Sequence, residues 1–161
     1  MNKVVTVEQA AKIAEGLQGV GKRVVLVGGC FDILHIGHIS FLERAKEAGD
    51  VLFVLLEAEK GIRQIKGGNR PINTQEDRAR ILAAIGVVDR VVLLSSDLEN
   101  HDYDKLIILL KPDIIASTQG DLKRHLKERQ AGLVNAEIVD VIDVISDKST
   151  TRLIKLLGKD L

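Results

Sequence analysis

A chain of 161 residues, 45% of them apolar, suits a single domain (1–161) built round one hydrophobic core. Its 23 basic and 23 acidic side chains cancel, which excludes the strongly positive field that holds a nucleic-acid backbone. The longest apolar runs, 51–56 and 91–94, are far too short to span a bilayer, no signal-peptide segment opens the chain, and the lone Cys30 can form no internal disulfide, so a cytoplasmic protein is expected.

Thr6 followed by Gln9 is a capping box and predicts a short amphipathic helix over 6–17, ahead of a core at about 22–157. Residues 23–27 are rich in β-branched side chains and end in Gly28-Gly29, which predicts a buried strand. Ile39, Leu42, Ala45 and Ala48 recur at helical spacing over 37–48, and the unbroken apolar run 51–56 predicts the next strand. Residues 57–73 read as a loop carrying the basic cluster Lys60, Arg63 and Lys66. The alternation continues with helix 74–85, capped by Thr74, strand 90–94, helix 103–110, strand 113–116, helix 122–130, strand 137–141 and a closing helix 149–157. Pro71 and Pro112 fall between patterned segments.

Strands that are apolar without alternation, separated by helices, predict a parallel sheet covered on both faces, a doubly wound α/β fold. In such folds ligands bind beyond the carboxyl ends of the strands. Chemistry is therefore expected in 28–38, 57–73, 117–121 and 144–151.

The first of these segments runs Gly28-Gly29-Cys30-Phe31-Asp32-Ile33-Leu34-His35-Ile36-Gly37-His38, from a strand into a helix. Glycines let backbone approach a ligand, and a helix N-terminus offers unpaired N–H groups and a partial positive charge, so phosphate fits there. His35 and His38 can point to one side, and Gly37 between them removes a side chain where a nucleotide would press. Two imidazole donors would stabilise charge on phosphate as pyrophosphate leaves. The plainer alternative makes them helix-capping residues. A zinc site from two histidines and Asp32 lacks the usual helical spacing, so no residue is assigned to a metal.

The order of motifs resembles the cytidylyltransferase-like nucleotidyltransferases, whose signature is a strand, G-x-F-D-x-x-H-x-G-H and a helix. Within that group the chain is most similar to heptose 1-phosphate adenylyltransferase domains. The likeness runs through residues 29–38, Lys66-Gly67-Gly68-Asn69-Arg70-Pro71-Ile72-Asn73, Glu76-Asp77-Arg78, Val88-Asp89, Lys111-Pro112-Asp113 and Ser149-Thr150-Thr151. It implies a Rossmann-like nucleotide-binding fold, a homodimer, ATP or CTP as substrate with a phosphorylated small-molecule acceptor, and Mg2+ bound mainly through the nucleotide phosphates. Carried over, His35 and His38 contact the triphosphate, Lys66 is a loop cation near it, and Arg78 meets phosphate or acceptor, unless Arg78 is merely solvated on its helix flank. Gly29, Cys30, Phe31 and Asp32 form the nucleotide-facing turn, with Cys30 a small packed residue rather than a nucleophile. Gly120-Asp121 meets the ribose, and Ser149, Thr150 and Thr151 meet the β and γ phosphates.

Two segments depart from the group. Leu56-Glu57-Ala58-Glu59 stands where an asparagine-serine-aspartate run shapes the acceptor side, and Ser117-Thr118-Gln119-Gly120-Asp121 replaces a lysine-glycine-glycine-aspartate turn. The chain lacks the arginine that cytidylyltransferases acting on glycerol 3-phosphate carry before Ser149, which favours adenylyl transfer. Cytidylyl transfer, FMN adenylylation and a non-catalytic nucleotide sensor stand as alternatives, and the chain is too short for an aminoacyl-tRNA synthetase.

Overall fold

The computed structural model describes residues 2–96 and 98–143. The expected closing helix 149–157 and the candidate residues Ser149, Thr150 and Thr151 lie outside them. Among the described residues one six-stranded sheet carries the chain, each strand parallel to its neighbours. β2 (Val24–Gly29) lies inside the sheet. β3 (Val51–Leu56) and β4 (Arg90–Leu93) are added on one side of it, with the short β1 (Val4–Val5) at that edge, and β5 (Ile114–Gln119) and β6 (Glu137–Asp143) on the other. The direction of building reverses between β2 and β5, which opens a crevice at their carboxyl ends.

The strands are apolar throughout because each face is covered. Phe53 and Leu55 of β3 pack into one core with Ala10 and Ala14 of α1 (Val7–Gly19), Leu106, Ile107 and Leu110 of α5 (Asn100–Leu110), and Ala131 of α6 (Arg124–Val134). Leu52, Val54 and Leu56 point the other way, onto Leu42 and Ala45 of α2 (Ile36–Glu47) and Ala79 and Leu82 of α4 (Gln75–Ala84). Full burial of each such Leu or Phe contributes about 1.5–3 kcal/mol. The predicted capping box is present: Gln9 N donates to Thr6 Oγ1 at 3.3 Å and Thr6 N to Gln9 Oε1 at 3.0 Å. No helix among the described residues is long and apolar enough to cross a membrane.

Two of the matched motif residues hold the amino edge of the sheet, away from the crevice. Asp89 accepts from Leu52 N at 2.7 Å and from Lys46 Nζ at 2.5 Å. Asp113 accepts from Val24 N at 2.8 Å and Gln18 Nε2 at 2.9 Å. Each carboxylate satisfies the first backbone donors of a buried strand.

The structure departs from the sequence reading in several places, the unpredicted short strand β1 among them. Residues 59–66, expected as loop, form α3 (Glu59–Lys66), which buries Ile62 and leaves Ile65 at 58% exposure. β5 continues past the predicted end at 116 because polar residues 117–119 still pair with β6, through a register shift between Ser117 and Thr118. Gly28 and Gly29 belong to β2 itself, paired with Leu55 and Leu56.

Candidate active site

The carboxyl end of β2 leads through a tight turn into α2. Phe31 takes a left-handed backbone conformation (φ 44°) that few residues other than glycine adopt. Its ring folds back over Gly29, where a Cβ would sit 2.9 Å from Phe31 Cε2. Gly29 is thus required by close approach within the turn, and the ring lies 5.5 Å from that of His38.

His35 is the N-cap of α2, with Nδ1 accepting from Gly37 N at 3.1 Å. His38 Nδ1 accepts from His35 N at 3.3 Å, and the two rings stand 4.0 Å apart. Both rings cap the start of the helix, as the plainer alternative has it. With its Nδ1 engaged as an acceptor and its ring neutral, His38 carries its proton on Nε2 and offers that N–H beside the helix N-terminus, next to the His35 ring. Burial, the neighbouring His35 and the positive charge of Lys66 push the His38 pKa down to about 4, so this ring is neutral near pH 7. Lys66, expected in a loop, is the last residue of α3, exposed and near enough to bias both His38 and Cys30. Burial raises the Cys30 pKa despite that cation, which keeps the thiol protonated and agrees with a packing role.

Asp32 is placed differently from its expected nucleotide-facing role. Its carboxylate is buried and accepts from Arg70 Nε at 2.8 Å, Ile72 N at 2.9 Å and Asn73 N at 2.9 Å, so it fastens the signature turn to the segment before α4. Burial alone would raise its pKa, but these donors outweigh burial and hold the carboxyl below the usual range. So engaged, it has little left to offer a metal.

Arg78, expected to contact phosphate or acceptor or else to be solvated, is instead fully buried. Nη1 donates to Cys30 O at 2.7 Å and Glu57 O at 2.8 Å, and Nε to Asn73 O at 3.2 Å. One guanidinium thus ties the exit of β2, the exit of β3 and the entry to α4, and it shapes the site by holding three backbones. Thr74 caps α4 as predicted, its Oγ1 accepting from Asp77 N at 3.1 Å.

Sequence reasoning missed two further features. Tyr103 of α5 donates to the Glu57 carboxylate at 2.6 Å; burial and this carboxylate drive the phenol pKa far above its ordinary value. Their sequence separation of 46 left no local signal. Beside Glu57, α3 and residues 71–74 border a cavity of about 450 Å³ with Glu59, Lys60, Arg63, Asn73 and Ser96 in its wall. The repeat Ala58, Ile62, Ile65 could have revealed α3. On the other side of β2, Gly120 (φ 79°) turns the chain so that Asp121 stands at the end of β5. Gly37 lies in the first turn of α2, between the two histidines.

Among the described residues no three His, Cys, Asp or Glu side chains converge as a metal site. The donor set here, imidazole N–H and ammonium, suits phosphate oxygens.

A family model described as cytidylyltransferase-like matches residues 26–156. "Bifunctional protein HldE" of a Nitratiruptor species is 41% identical over 148 residues, covering 92% of this chain and 30% of that protein. The protein of the same name from Aliarcobacter butzleri is 40% identical over 158 residues, covering 96% of this chain and 31% of that protein. The chain therefore spans about 30% of the length of these curated relatives. Among solved structures, the lipopolysaccharide core biosynthesis protein from Thermoplasma volcanium is 31% identical with a TM-score of 0.64, over 77% of this chain and 99% of that one. Pantoate-beta-alanine ligase from Francisella tularensis, 17% identical with a TM-score of 0.66 over 99% of this chain and 77% of that one, shares the fold.

Proposed function

The chain belongs to the cytidylyltransferase-like family of nucleotidyltransferases, and from that premise we propose that it transfers AMP from ATP to a sugar 1-phosphate, releasing pyrophosphate. Heptose 1-phosphate is the acceptor to which the likeness with heptose 1-phosphate adenylyltransferase domains points, and a homodimer is the assembly it implies.

The observation that supports this reading is the pair of imidazoles of His35 and His38, 4.0 Å apart at the N-terminus of α2 with each Nδ1 held by a backbone N–H. An oxygen of the acceptor's phosphate attacks the α-phosphorus in line. The new P–O bond forms as the bond to the β-phosphate oxygen breaks, and pyrophosphate departs with that electron pair. His35 and His38 donate hydrogen bonds to phosphate oxygens as charge moves onto the leaving group, and His38, neutral near pH 7, does so without losing its proton. Lys66 adds a cation on the same side. Magnesium, which the resemblance implies is bound mainly through the nucleotide phosphates, would supply further charge neutralisation. The Asp32 and Arg78 contacts keep the surrounding turns in place, so that catalysis comes from positioning and electrostatics with no covalent nucleophile.

Pyrophosphate release with magnesium, crossing ATP, CTP, GTP and UTP against heptose 1-phosphate, other sugar 1-phosphates, glycerol 3-phosphate and FMN, tests the reading. Turnover of ATP with a sugar 1-phosphate is expected. Turnover restricted to CTP with glycerol 3-phosphate would replace it, and nucleotide binding without turnover at any acceptor would make the chain a sensor.

A further inference from the structure

The Glu57 carboxylate, one residue beyond β3, is gripped from α5. Tyr103 Oη donates to it, 2.6 Å from Oε1 and 2.7 Å from Oε2, and the Tyr103 ring packs against the core shared by α1, α5 and α6. The Glu57 backbone is equally fixed: its N–H donates to Gly29 O at 3.2 Å, and its carbonyl accepts from Arg78 Nη1 at 2.8 Å. A carboxylate with so short a contact to a ring held by the core is turned towards α5.

The surroundings give that orientation a consequence. α3 passes close over the carboxylate, since a Cβ on Gly61 would stand 3.4 Å from Glu57 Oε2, and the same helix ends in Lys66. Lys66 and Glu57 act on the Cys30 thiol in opposite senses, so this cation and this anion flank one side chain at the exit of β2. Opposite charges so placed attract, and a glutamate free to rotate would pair with the flexible lysine. Paired in that way, the ammonium would be neutralised on the side where a triphosphate has to meet it. Among the described residues Glu57 is bonded to Tyr103, and no ion pair joins it to Lys66.

We propose that Tyr103 is a positioning residue that holds Glu57 away from Lys66 and so keeps the Lys66 ammonium available to the phosphates of the nucleotide. The proposal rests on the nucleotidyl-transfer reading and deepens it, adding a residue that touches neither substrate. Burial and the Glu57 carboxylate keep the phenol protonated, so the donor persists throughout the neutral pH range.

The test is a double-substitution cycle. Dissociation constants of ATP and CTP with magnesium, kcat/KM from pyrophosphate release, and melting temperatures are measured for the wild type, Y103F, E57Q and Y103F/E57Q. Y103F frees the carboxylate and is expected to weaken nucleotide binding about fivefold, the scale of a partly exposed ion pair that the phosphates must displace. In the E57Q background no charge is left to restrain, so adding Y103F there is expected to change affinity less than about twofold, whatever it does to the melting temperature. Should Y103F not fold, Y103M carries the same comparison. Equal affinity in folded Y103F and wild type overturns the role of Tyr103. An equal loss in both backgrounds also overturns it, because the phenol then acts through the fold and not through the charge of Glu57. Nucleotide binding without pyrophosphate release from any pair removes the transfer reading while the four affinities still decide the role of Tyr103, and a chain that binds no nucleotide overturns both.

Discussion

Asp32 and Arg70 meet in a buried ion pair, Arg70 Nε 2.8 Å from Asp32 Oδ2, with the aspartate side chain fully and the arginine about nine-tenths removed from solvent. The pair joins the turn after β2 to the segment leading into α4, two stretches 38 residues apart. Breaking such a pair leaves its partner charged and buried, which costs about 3–5 kcal/mol. Asp32→Ala is therefore expected to lower unfolding free energy by that order, as read from urea denaturation, with a loss below about 1 kcal/mol marking the contact as incidental. Because the folded carboxyl titrates below its unfolded value, its contribution is present above about pH 4 and is lost as pH falls further. The wild type should lose stability faster than the variant on acidification below that point.

His38 provides a pH prediction of the same sign in a higher window. Its pKa in the fold is about 4, well below the ordinary value near 6.5. Between those two values the unfolded chain binds a proton that the folded chain refuses, so this residue makes stability fall as pH drops from about 6.5 towards 4. Turnover, by contrast, should show no His38 titration between about pH 5 and 8. His38→Ala is expected to reduce kcat about 10²–10³-fold with the fold intact, the effect of removing one preorganised donor. Near-normal turnover in folded protein would remove the residue from the mechanism.

How much of this was readable in the sequence depends on the range of the interaction. β3 was legible to the residue because an uncovered face would have broken its apolar run 51–56 into alternation. α3 was not read as a helix because charged residues and glycines dilute its short apolar repeat of Ala58, Ile62 and Ile65, and β1 is too short to carry a pattern. The histidine pair was legible because its geometry is local to one helix start. Asp32 with Arg70, Arg78 with three carbonyls and Glu57 with Tyr103 join segments that only the sheet brings together, or depend on where a helix begins. Motif matching marked Asp32, Arg78, Asp89 and Asp113 alike, yet the last two satisfy strand donors at the opposite edge.

Arg78 separates a structural from a catalytic loss. Its guanidinium holds three backbone carbonyls from full burial, and removing it leaves buried acceptors unpaired at about 1–3 kcal/mol each. Arg78→Met is expected to lower the melting temperature by more than about 10 °C, given about 2–4 °C per kcal/mol for a chain of this size. A variant that melts like the wild type while losing acceptor affinity would instead make Arg78 a substrate contact.

Gly29 tests whether the turn, rather than the histidines alone, sets the site. A methyl group there would lie 2.9 Å from Phe31 Cε2, too close to be accommodated without moving the ring. Phe31 is 5% exposed and packed in the core shared by α2 and α4, with φ fixed at 44°, so its freedom to yield is small. The ring also lies 5.5 Å from His38, and a shift in one is transmitted to the other. Gly29→Ala should cost about 1–3 kcal/mol, as overpacking does, and lower kcat more than it raises nucleotide KM. Adding Phe31→Leu removes the ring edge that the methyl meets, and should recover part of the stability lost by Gly29→Ala. If the double variant is no more stable than the single one, the clash is with backbone, and the Phe31 ring is not what demands glycine at this position.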